Sequence, residues 1–179
     1  MPVVQADVDP LDPLDPAAAS EGFEAFYLRE YAAVVRLAYA LSGSRLAAED
    51  IAQDAFLGAF RDWERIRHPS GWVRKVAVRR AGRTMRRRLL EAGALARMLA
   101  GRGPAVAELP EEDAEVWRAV RALPRRQAQV IALRYVADAP VAEIAQTLGM
   151  AEGTVKAQLH RARQALAARL ATAWEDEHA

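Results

Sequence analysis

A stretch near the carboxyl end of the chain, residues 141–163, places two helical segments on either side of one glycine. Its sequence is VAEIAQTLGMAEGTVKAQLHRAR. The apolar face of the first segment consists of Val141, Ile144, Ala145 and Leu148. Gly149 comes next, and a glycine in the left-handed conformation commonly ends a helix. A second helix is predicted from about Glu152 past Leu170. Its inward face consists of Val155, Leu159, Ala162 and Leu166.

The spacing of Ala145, Gly149 and Val155 is typical of a helix-turn-helix. Such a motif has a small residue where the helices cross, a glycine at the turn and a β-branched residue in the joint core. The N-terminal half of its second helix enters the major groove of DNA. The outward arc of that half consists of Thr154, Ala157, His160, Arg161 and Gln164, flanked by Lys156, Gln158 and Arg163. An ordinary helical hairpin is the alternative, and His160 is a weaker candidate than Arg161.

The length and composition of the chain restrict its class. Its 179 residues allow one domain or two small ones, and the absence of cysteine excludes disulfides, thiolate zinc sites and cysteine nucleophiles. No apolar run approaches the roughly 20 residues that span a bilayer, and the N-terminal MPVVQADVDP lacks the regions of a signal peptide. We therefore expect a cytoplasmic protein without membrane insertion, and no residue cluster suggests a metal or a cofactor.

Charge is distributed unevenly along the chain. Residues 65–103 contain twelve Arg or Lys and one acid, whereas residues 104–115 contain five acids and no base. The basic part indicates a polyanionic partner, and solvated helix faces are the alternative.

The pattern predicts an all-α fold with two small helical domains and a flexible linker. Residues 1–20 repeat Asp-Pro and are expected to be a disordered tail. The first domain covers residues 21–90, and a linker rich in Gly, Pro and acids covers 91–113. The second domain covers residues 114–175. Its predicted apolar set before the helix-turn-helix consists of Val116, Trp117, Val120, Leu123, Val130, Ile131, Leu133, Arg134 and Val136.

The second helix of the first domain is predicted from an N-cap at Ser44 to about Trp63. Its core arc consists of Ile51, Ala52, Ala55, Phe56, Ala59, Phe60 and Trp63. The opposite arc carries Asp50, Gln53 and Asp54. A merely solvated polar face accounts for these three residues equally well.

A third helix, predicted over about residues 70–90, carries an aromatic residue followed by cations. The stripe consists of Trp72, Lys75, Arg79, Arg83 and Arg86, whereas Val73, Val76 and Ala77 face the core. This arrangement suits single-stranded nucleic acid, because bases stack on the ring while phosphates follow the charges. A core position for Trp72 is the alternative.

Three segments resemble the extracytoplasmic function (ECF) group of bacterial sigma factors, in particular the SigE-like branch of actinobacteria. They are AEDIAQDAFLGAF at 48–60, the basic helix at 72–88, and LPRRQAQVIALRYVADAPVAEIAQTLGMAEGTVKAQLHRARQAL at 123–166. The resemblance covers about residues 21–170. It implies a protein without catalytic activity or cofactor that directs RNA polymerase to promoters.

The resemblance also implies roles for particular residues. Asp50, Gln53 and Asp54 would bind the coiled coil of the polymerase β′ subunit. The single-stranded −10 element would contact Arg65, Arg67, His68, Trp72, Lys75, Arg79, Arg80 and Arg83. The −35 duplex would contact Thr154, Lys156, Ala157, Gln158, His160 and Arg161. The polymerase β flap is a further implied partner, and an anti-sigma factor is a candidate regulator.

The chain departs from the family pattern at two positions, so its preferred promoter sequence does not follow from that of its relatives. The segment around Arg79 and Arg80 lacks an asparagine found in many members, and Ala157 replaces a common serine. Ala157 offers only an apolar contact, such as one with a thymine methyl group. Two other classes remain possible on the sequence. A repressor or activator would not need Asp50, Gln53 and Asp54 exposed, and a nucleic-acid enzyme would need a catalytic cluster that the isolated histidines do not form.

Overall fold

A computed structural model describes the backbone of residues 22–95 and 111–178, and side chains over 22–83 and 114–171. The predicted tail and most of the predicted linker lie outside these ranges. The helical elements in these ranges are, in chain order, α1 (Phe23–Ser42), α2 (Arg45–Arg61), a 3₁₀ turn (Trp63–Arg65), α3 (Pro69–Leu95), α4 (Glu111–Arg121), α5 (Arg125–Tyr135), α6 (Val141–Leu148) and α7 (Glu152–His178). The predicted all-α fold is confirmed for the described residues.

Helices α1, α2 and α3 form the first bundle, in which each helix packs against the other two. Ser44 begins α2 as predicted, because its side chain accepts a hydrogen bond from the Ala47 amide at 3.4 Å. The core of this bundle includes Phe26, Val34, Leu37, Ala52, Phe56, Val73 and Ala77. The basic helix continues five residues past the predicted Leu90, to Leu95.

Three predicted core positions need correction. Phe60 is 62% exposed, because it meets α1 at Phe23, the first residue of that helix, and none of the described residues covers the ring beyond it. Trp63 is only partly buried, since α2 ends at Arg61 and the indole lies in the following 3₁₀ turn. Val116 is 37% exposed on the outer side of α4.

Helices α4 to α7 form the second bundle, whose core includes Val120, Leu123, Val130, Leu133, Ile144, Val155, Leu159 and Ala162. Gly149 ends α6 with φ +63°, the left-handed conformation expected from the sequence. The Met150 amide donates to the Ala145 carbonyl at 2.9 Å and closes the turn. The helix-turn-helix is thus formed by α6 and α7.

The two bundles pack against each other, which the sequence did not predict. Helix α1 contacts α4 and α5, and α3 contacts α6. The Gln129 side chain on α5 is buried and its Nε2 donates to the Val78 carbonyl on α3 at 3.5 Å. Arg121 on α4 donates to the Ala40 carbonyl at 3.2 Å, near the C-terminus of α1. Burial lowers the pKa of the Arg121 guanidinium.

Over the described part of the chain, no helix is long and apolar enough to cross a bilayer. Within the same ranges, no group of His, Asp and Glu side chains gathers in a way that suits a metal ion.

Two glycines with nearly the same backbone conformation allow a matched test of the contact between the bundles. A Cβ added at Gly149 (φ +63°) would meet nothing within 4 Å, whereas at Gly43 (φ +66°) it would lie 2.9 Å from the Arg121 Nε. We expect Gly149→Ala to lower the free energy of unfolding by about 1 to 2 kcal/mol through backbone strain alone. Gly43→Ala should cost about 1 kcal/mol more, because it also displaces a hydrogen-bonded arginine.

Urea unfolding followed by circular dichroism measures both losses. In an Arg121→Ala background the difference between the two glycine variants should disappear. Equal losses in the wild-type background would mean that Arg121 does not hold the two bundles together at this point.

Candidate nucleic-acid interface

The N-terminal half of α7 presents its predicted DNA-binding residues to solvent. Thr154, Lys156, Ala157, His160 and Arg161 are exposed, and Gln158 is partly exposed. Val155, Leu159 and Ala162 are buried on the opposite side of the helix, which fixes the rotation of α7 about its axis. The outward arc therefore has the arrangement that a helix needs to enter the major groove.

An arginine that the sequence reasoning missed supports the turn of this motif. Arg126 on α5 donates through Nη1 to the Leu148 carbonyl at 3.4 Å and to the Gln129 Oε1 at 3.4 Å. Leu148 is the last residue of α6, whose terminal carbonyls lack partners within the helix. The contact joins α5 to the turn that orients α7. One indication of this contact was present in the sequence, because cationic side chains often bind the last carbonyls of a helix.

Contacts on the flank of α7 orient several cations. Lys156 lies 3.9 Å from Glu152, and Arg161 donates through Nε to the Ala157 carbonyl at 3.3 Å. Arg163 donates through Nε to the Tyr135 hydroxyl at 2.9 Å, and its guanidinium lies 5.9 Å from the centre of that ring. These interactions are exposed, so their main effect is to orient the side chains.

The cationic stripe of α3 lies mostly on the surface of the first bundle. Arg79 and Arg83 are exposed and Lys75 is partly exposed, whereas Val73, Ala77 and Ala81 are buried behind them. Val76, predicted to face the core, is only partly buried at its edge. The side chain of Arg86 lies outside the described residues. The stripe thus forms a continuous positive track over at least two turns of α3.

Trp72 is half-buried at the N-terminal end of the stripe. Its ring lies so close to α2 that a Cβ added at Gly58 would be 2.7 Å from the Trp72 Cη2. The absence of a side chain at Gly58 therefore lets the indole lie on the backbone of α2. The packing side of the ring is thus identified, while a contact between Trp72 and DNA stays a prediction.

The loop before α3 carries the remaining predicted −10 residues. Arg65 and Arg67 are exposed, and His68 is partly buried. The His68 carbonyl accepts from the Trp72 amide at 2.9 Å and so begins α3. The His68 Nε2 is buried and has no hydrogen-bond partner among the described residues. A buried nitrogen without a partner is costly, so His68 lowers the stability of this loop.

The polar face of α2 is also exposed, and it includes apolar residues. Asp50, Gln53 and Asp54 are all exposed. Leu46, Leu57 and Phe60 on the same side are 72%, 54% and 62% exposed. Asp54 pairs with Arg80, which connects this face to the basic helix α3. We call the row Leu46, Asp50, Gln53, Leu57 and Phe60 the α2 seam.

Comparison with known families matches residues 26–89 to Sigma-70 region 2 and residues 113–166 to Sigma-70, region 4. The first match lies in the α1–α3 bundle, and the second contains the helix-turn-helix. The positions of the two matches agree with the two helical bundles.

Individual proteins are similar to the chain over most of its length. It is 32% identical over 149 residues to the ECF RNA polymerase sigma factor SigE of Mycolicibacterium smegmatis, which covers 74% of this chain and 55% of SigE. The chain thus spans little more than half the length of that relative. It is 30% identical over 148 residues to the ECF RNA polymerase sigma factor SigM of Mycobacterium tuberculosis, covering 81% of this chain and 75% of SigM.

Among solved structures, the fold is similar to that of the sigma factor RpoE from Bartonella quintana, which was crystallised in complex with the anti-sigma factor NepR. The TM-score is 0.66 at 22% sequence identity, and the match covers 80% of this chain and 93% of RpoE. At this identity, the likeness concerns the fold.

The packing of Trp72 on Gly58 predicts a large effect on stability. We expect Trp72→Ala to lower the free energy of unfolding by about 3 kcal/mol, near the low end for a large core aromatic, because Trp72 is only partly buried. Urea unfolding followed by circular dichroism measures this loss. Arg79→Ala, an exposed change on the same helix, serves as the control and should stay within about 0.5 kcal/mol of wild type. A comparably small loss for Trp72→Ala would show that the ring is not a packing residue.

Proposed function

The chain belongs to the ECF group of RNA polymerase sigma factors, and from that premise we propose that it binds core RNA polymerase, recognises promoters through two separate DNA surfaces and opens the duplex at one of them. The observation that carries this proposal is the presence of three exposed surfaces on two bundles. They are the outward arc of α7, the basic stripe of α3 and the α2 seam. A protein that only binds duplex DNA needs the first of these surfaces alone.

We propose that α7 reads the −35 duplex. Exposed Thr154 and Arg161 lie on its outward arc, and Arg161 has the planar geometry for a bidentate contact with guanine. Lys156 on the flank is suited to a phosphate. Ala157 leaves a position where only an apolar contact is available, so the base preference there differs from that of a member with serine.

We propose that the loop before α3 and the α3 stripe hold the −10 element as single strands. Unstacking a DNA step costs about 1.4 kcal/mol on average, and capturing a base on an aromatic ring returns roughly 1 to 3 kcal/mol. A few captured bases therefore offset a few broken steps when cations also anchor the phosphates. Trp72 is partly exposed at the N-terminal end of the stripe that Arg79 and Arg83 continue, and it supports the proposal as the stacking surface.

We propose that the α2 seam binds the β′ coiled coil. Its members Leu46, Asp50, Gln53, Leu57 and Phe60 follow one another at spacings of 4, 3, 4 and 3 residues. That spacing is the heptad repeat by which helices pack along a shared seam. The sequence-based prediction named only the polar residues of this face. The exposed leucines and Phe60 add the apolar contact area that such packing requires.

A repressor or activator with the same helix-turn-helix is the second candidate function. It accounts for α7 but leaves the α2 seam and the α3 stripe without a role. Run-off transcription with core polymerase on a promoter-bearing fragment separates the two candidates, because only a sigma factor makes core enzyme initiate at a defined start.

The anti-sigma partner and the contact with the β flap remain predictions. Co-purification of the chain with proteins encoded next to it tests the first of these.

The α2 seam predicts that one apolar residue contributes strongly to polymerase binding. We expect Leu57→Glu to weaken the affinity for core polymerase by about 30-fold, the effect of losing a central interface residue worth about 2 kcal/mol. Leu28→Glu is the matched control. It makes the same chemical change at a leucine that is 72% exposed on α1, outside the seam, and should stay within about twofold of wild type.

Fluorescence anisotropy with labelled chain and unlabelled core enzyme measures both affinities, and circular dichroism checks that each variant folds. Equal effects of the two substitutions on affinity would show that the α2 seam is not the surface that binds core polymerase.

The outward arc of α7 predicts a loss of discrimination when Arg161 is removed. Arg161→Ala should reduce the preference for promoter duplex over random duplex by about 1 to 3 kcal/mol if the guanidinium contacts a base. The slope of log affinity against log salt should change little, since each phosphate contact contributes about 0.9 to it. Electrophoretic mobility shifts over a range of salt concentrations test both statements. A uniform loss on both duplexes, with a smaller slope, would assign Arg161 to a phosphate.

A further inference from the structure

A cation of α3 that takes no part in the stripe lies between the two bundles. The Arg74 Nη1 lies 2.6 Å from the Glu143 Oε1 on α6, and its Nη2 lies 3.4 Å from the Glu30 Oε2 on α1. The Arg74 side chain is 17% exposed, that of Glu30 12% and that of Glu143, the partner in the other bundle, 28%. Partners in a largely desolvated ion pair depend strongly on each other, because removing one leaves the other charge uncompensated.

Other polar contacts support the same interface. Arg121 reaches the C-terminal end of α1, where a cation interacts favourably with the helix dipole. The Gln129 Nε2 lies buried against the Val78 carbonyl. A Cβ added at Gly82 on α3 would lie 2.7 Å from the Arg125 Nε, so the Arg125 side chain of α5 lies against α3 there. Three helices of the second bundle thus provide specific contacts to the first.

The closed arrangement is too small to serve both promoter elements at once. A compact body formed by the 142 described residues has a radius of gyration of about 14 Å and is less than roughly 40 Å across. The −35 and −10 elements lie about 25 base pairs apart, which corresponds to about 85 Å of duplex. Reading both elements therefore requires the two bundles to separate.

Closure nevertheless leaves the individual binding surfaces accessible. Asp50, Leu57 and Phe60 of the α2 seam are exposed in the closed chain, as are Thr154 and Arg161 on α7. A partner that needs only one surface can therefore bind without opening the chain. Only a partner that needs the bundles apart must supply the free energy of opening.

We propose that Arg74, held by Glu30 and Glu143, is an ionic latch that keeps the free chain closed and makes opening part of the cost of binding core polymerase. The apparent affinity of a protein for a partner equals its intrinsic affinity multiplied by the fraction of molecules in the binding-competent state. A weaker latch should therefore strengthen binding to intact core enzyme. The same change should leave binding to an isolated β′ coiled-coil fragment unaffected.

The first experiment measures closure in the free chain, without polymerase or DNA. Because the chain has no cysteine, Ala32→Cys on α1 and Ala167→Cys on α7 give two defined labelling sites, both exposed. Energy transfer between donor and acceptor dyes at these sites reports the separation of the bundles. Glu143→Arg places two guanidinium groups together and should roughly halve the transfer efficiency by favouring the open state. Glu115→Arg, the same charge change at an exposed position of α4, should leave the efficiency unchanged.

A second variant crowds the same interface without changing its charge. Gly82→Leu introduces a side chain where the Arg125 Nε would lie 2.7 Å from its Cβ, and it should lower the transfer efficiency as well. Circular dichroism verifies that both variants keep their helices. If both variants fold and both retain the wild-type transfer efficiency, the ion pair of Arg74 with Glu143 does not keep the free chain closed.

The second experiment rests on the proposed function. Glu143→Arg should bind intact core polymerase about tenfold more tightly than wild type, whereas its affinity for the isolated β′ coiled-coil fragment should stay within about twofold. An unchanged affinity for core enzyme in a variant that is open by energy transfer would overturn the gating role. Should neither wild type nor variant bind core enzyme, the proposed function fails, while the energy-transfer result still decides whether the latch exists.

Discussion

The burial of α1 is the constraint on which the rest of the structure depends. This helix packs against α2 and α3 in its own bundle and against α4 and α5 of the other. Phe26, Leu37 and Ala38 are completely buried along it, and each large apolar side chain removed from water contributes about 1.5 to 3 kcal/mol. Because α1 lies at the centre, both the orientation of α3 and the position of the second bundle are defined relative to it.

The packing around α1 determines which residues remain on the surface. Once α2 turns Ala52, Ala55 and Ala59 towards the core, Gln53 and Leu57 must face solvent. The small side chains on the buried side of α2 let the helices approach closely, and at Gly58 they make room for Trp72. A well-packed interior thus leads directly to the exposed α2 seam and to a fixed aromatic beside the basic stripe.

Arginine has two different roles in this protein. Arg79 and Arg83 are exposed and suit a polyanion that is not part of the chain. Arg74 is largely desolvated and Arg121 is partly buried, and both bind to groups of the chain itself, a carboxylate pair in one case and a helix C-terminus in the other. The guanidinium group serves both purposes because it stays charged and presents several donors in a plane.

Local patterns in the sequence determined most of the helices, the Ser44 cap, the left-handed Gly149 and the outward arc of α7, because these features depend on residues within a few positions of one another. Membership of the sigma factor family also followed from short motifs. The exposure of Phe60 depended instead on where α1 begins, and the half-burial of Trp72 depended on a glycine of another helix. The pairing of Arg74 with Glu143 joins residues 69 positions apart, and that of Gln129 with Val78 joins residues 51 apart. Helical periodicity shows which side of a helix is buried but does not identify what buries it, so only the tertiary structure decided that the two bundles close on each other.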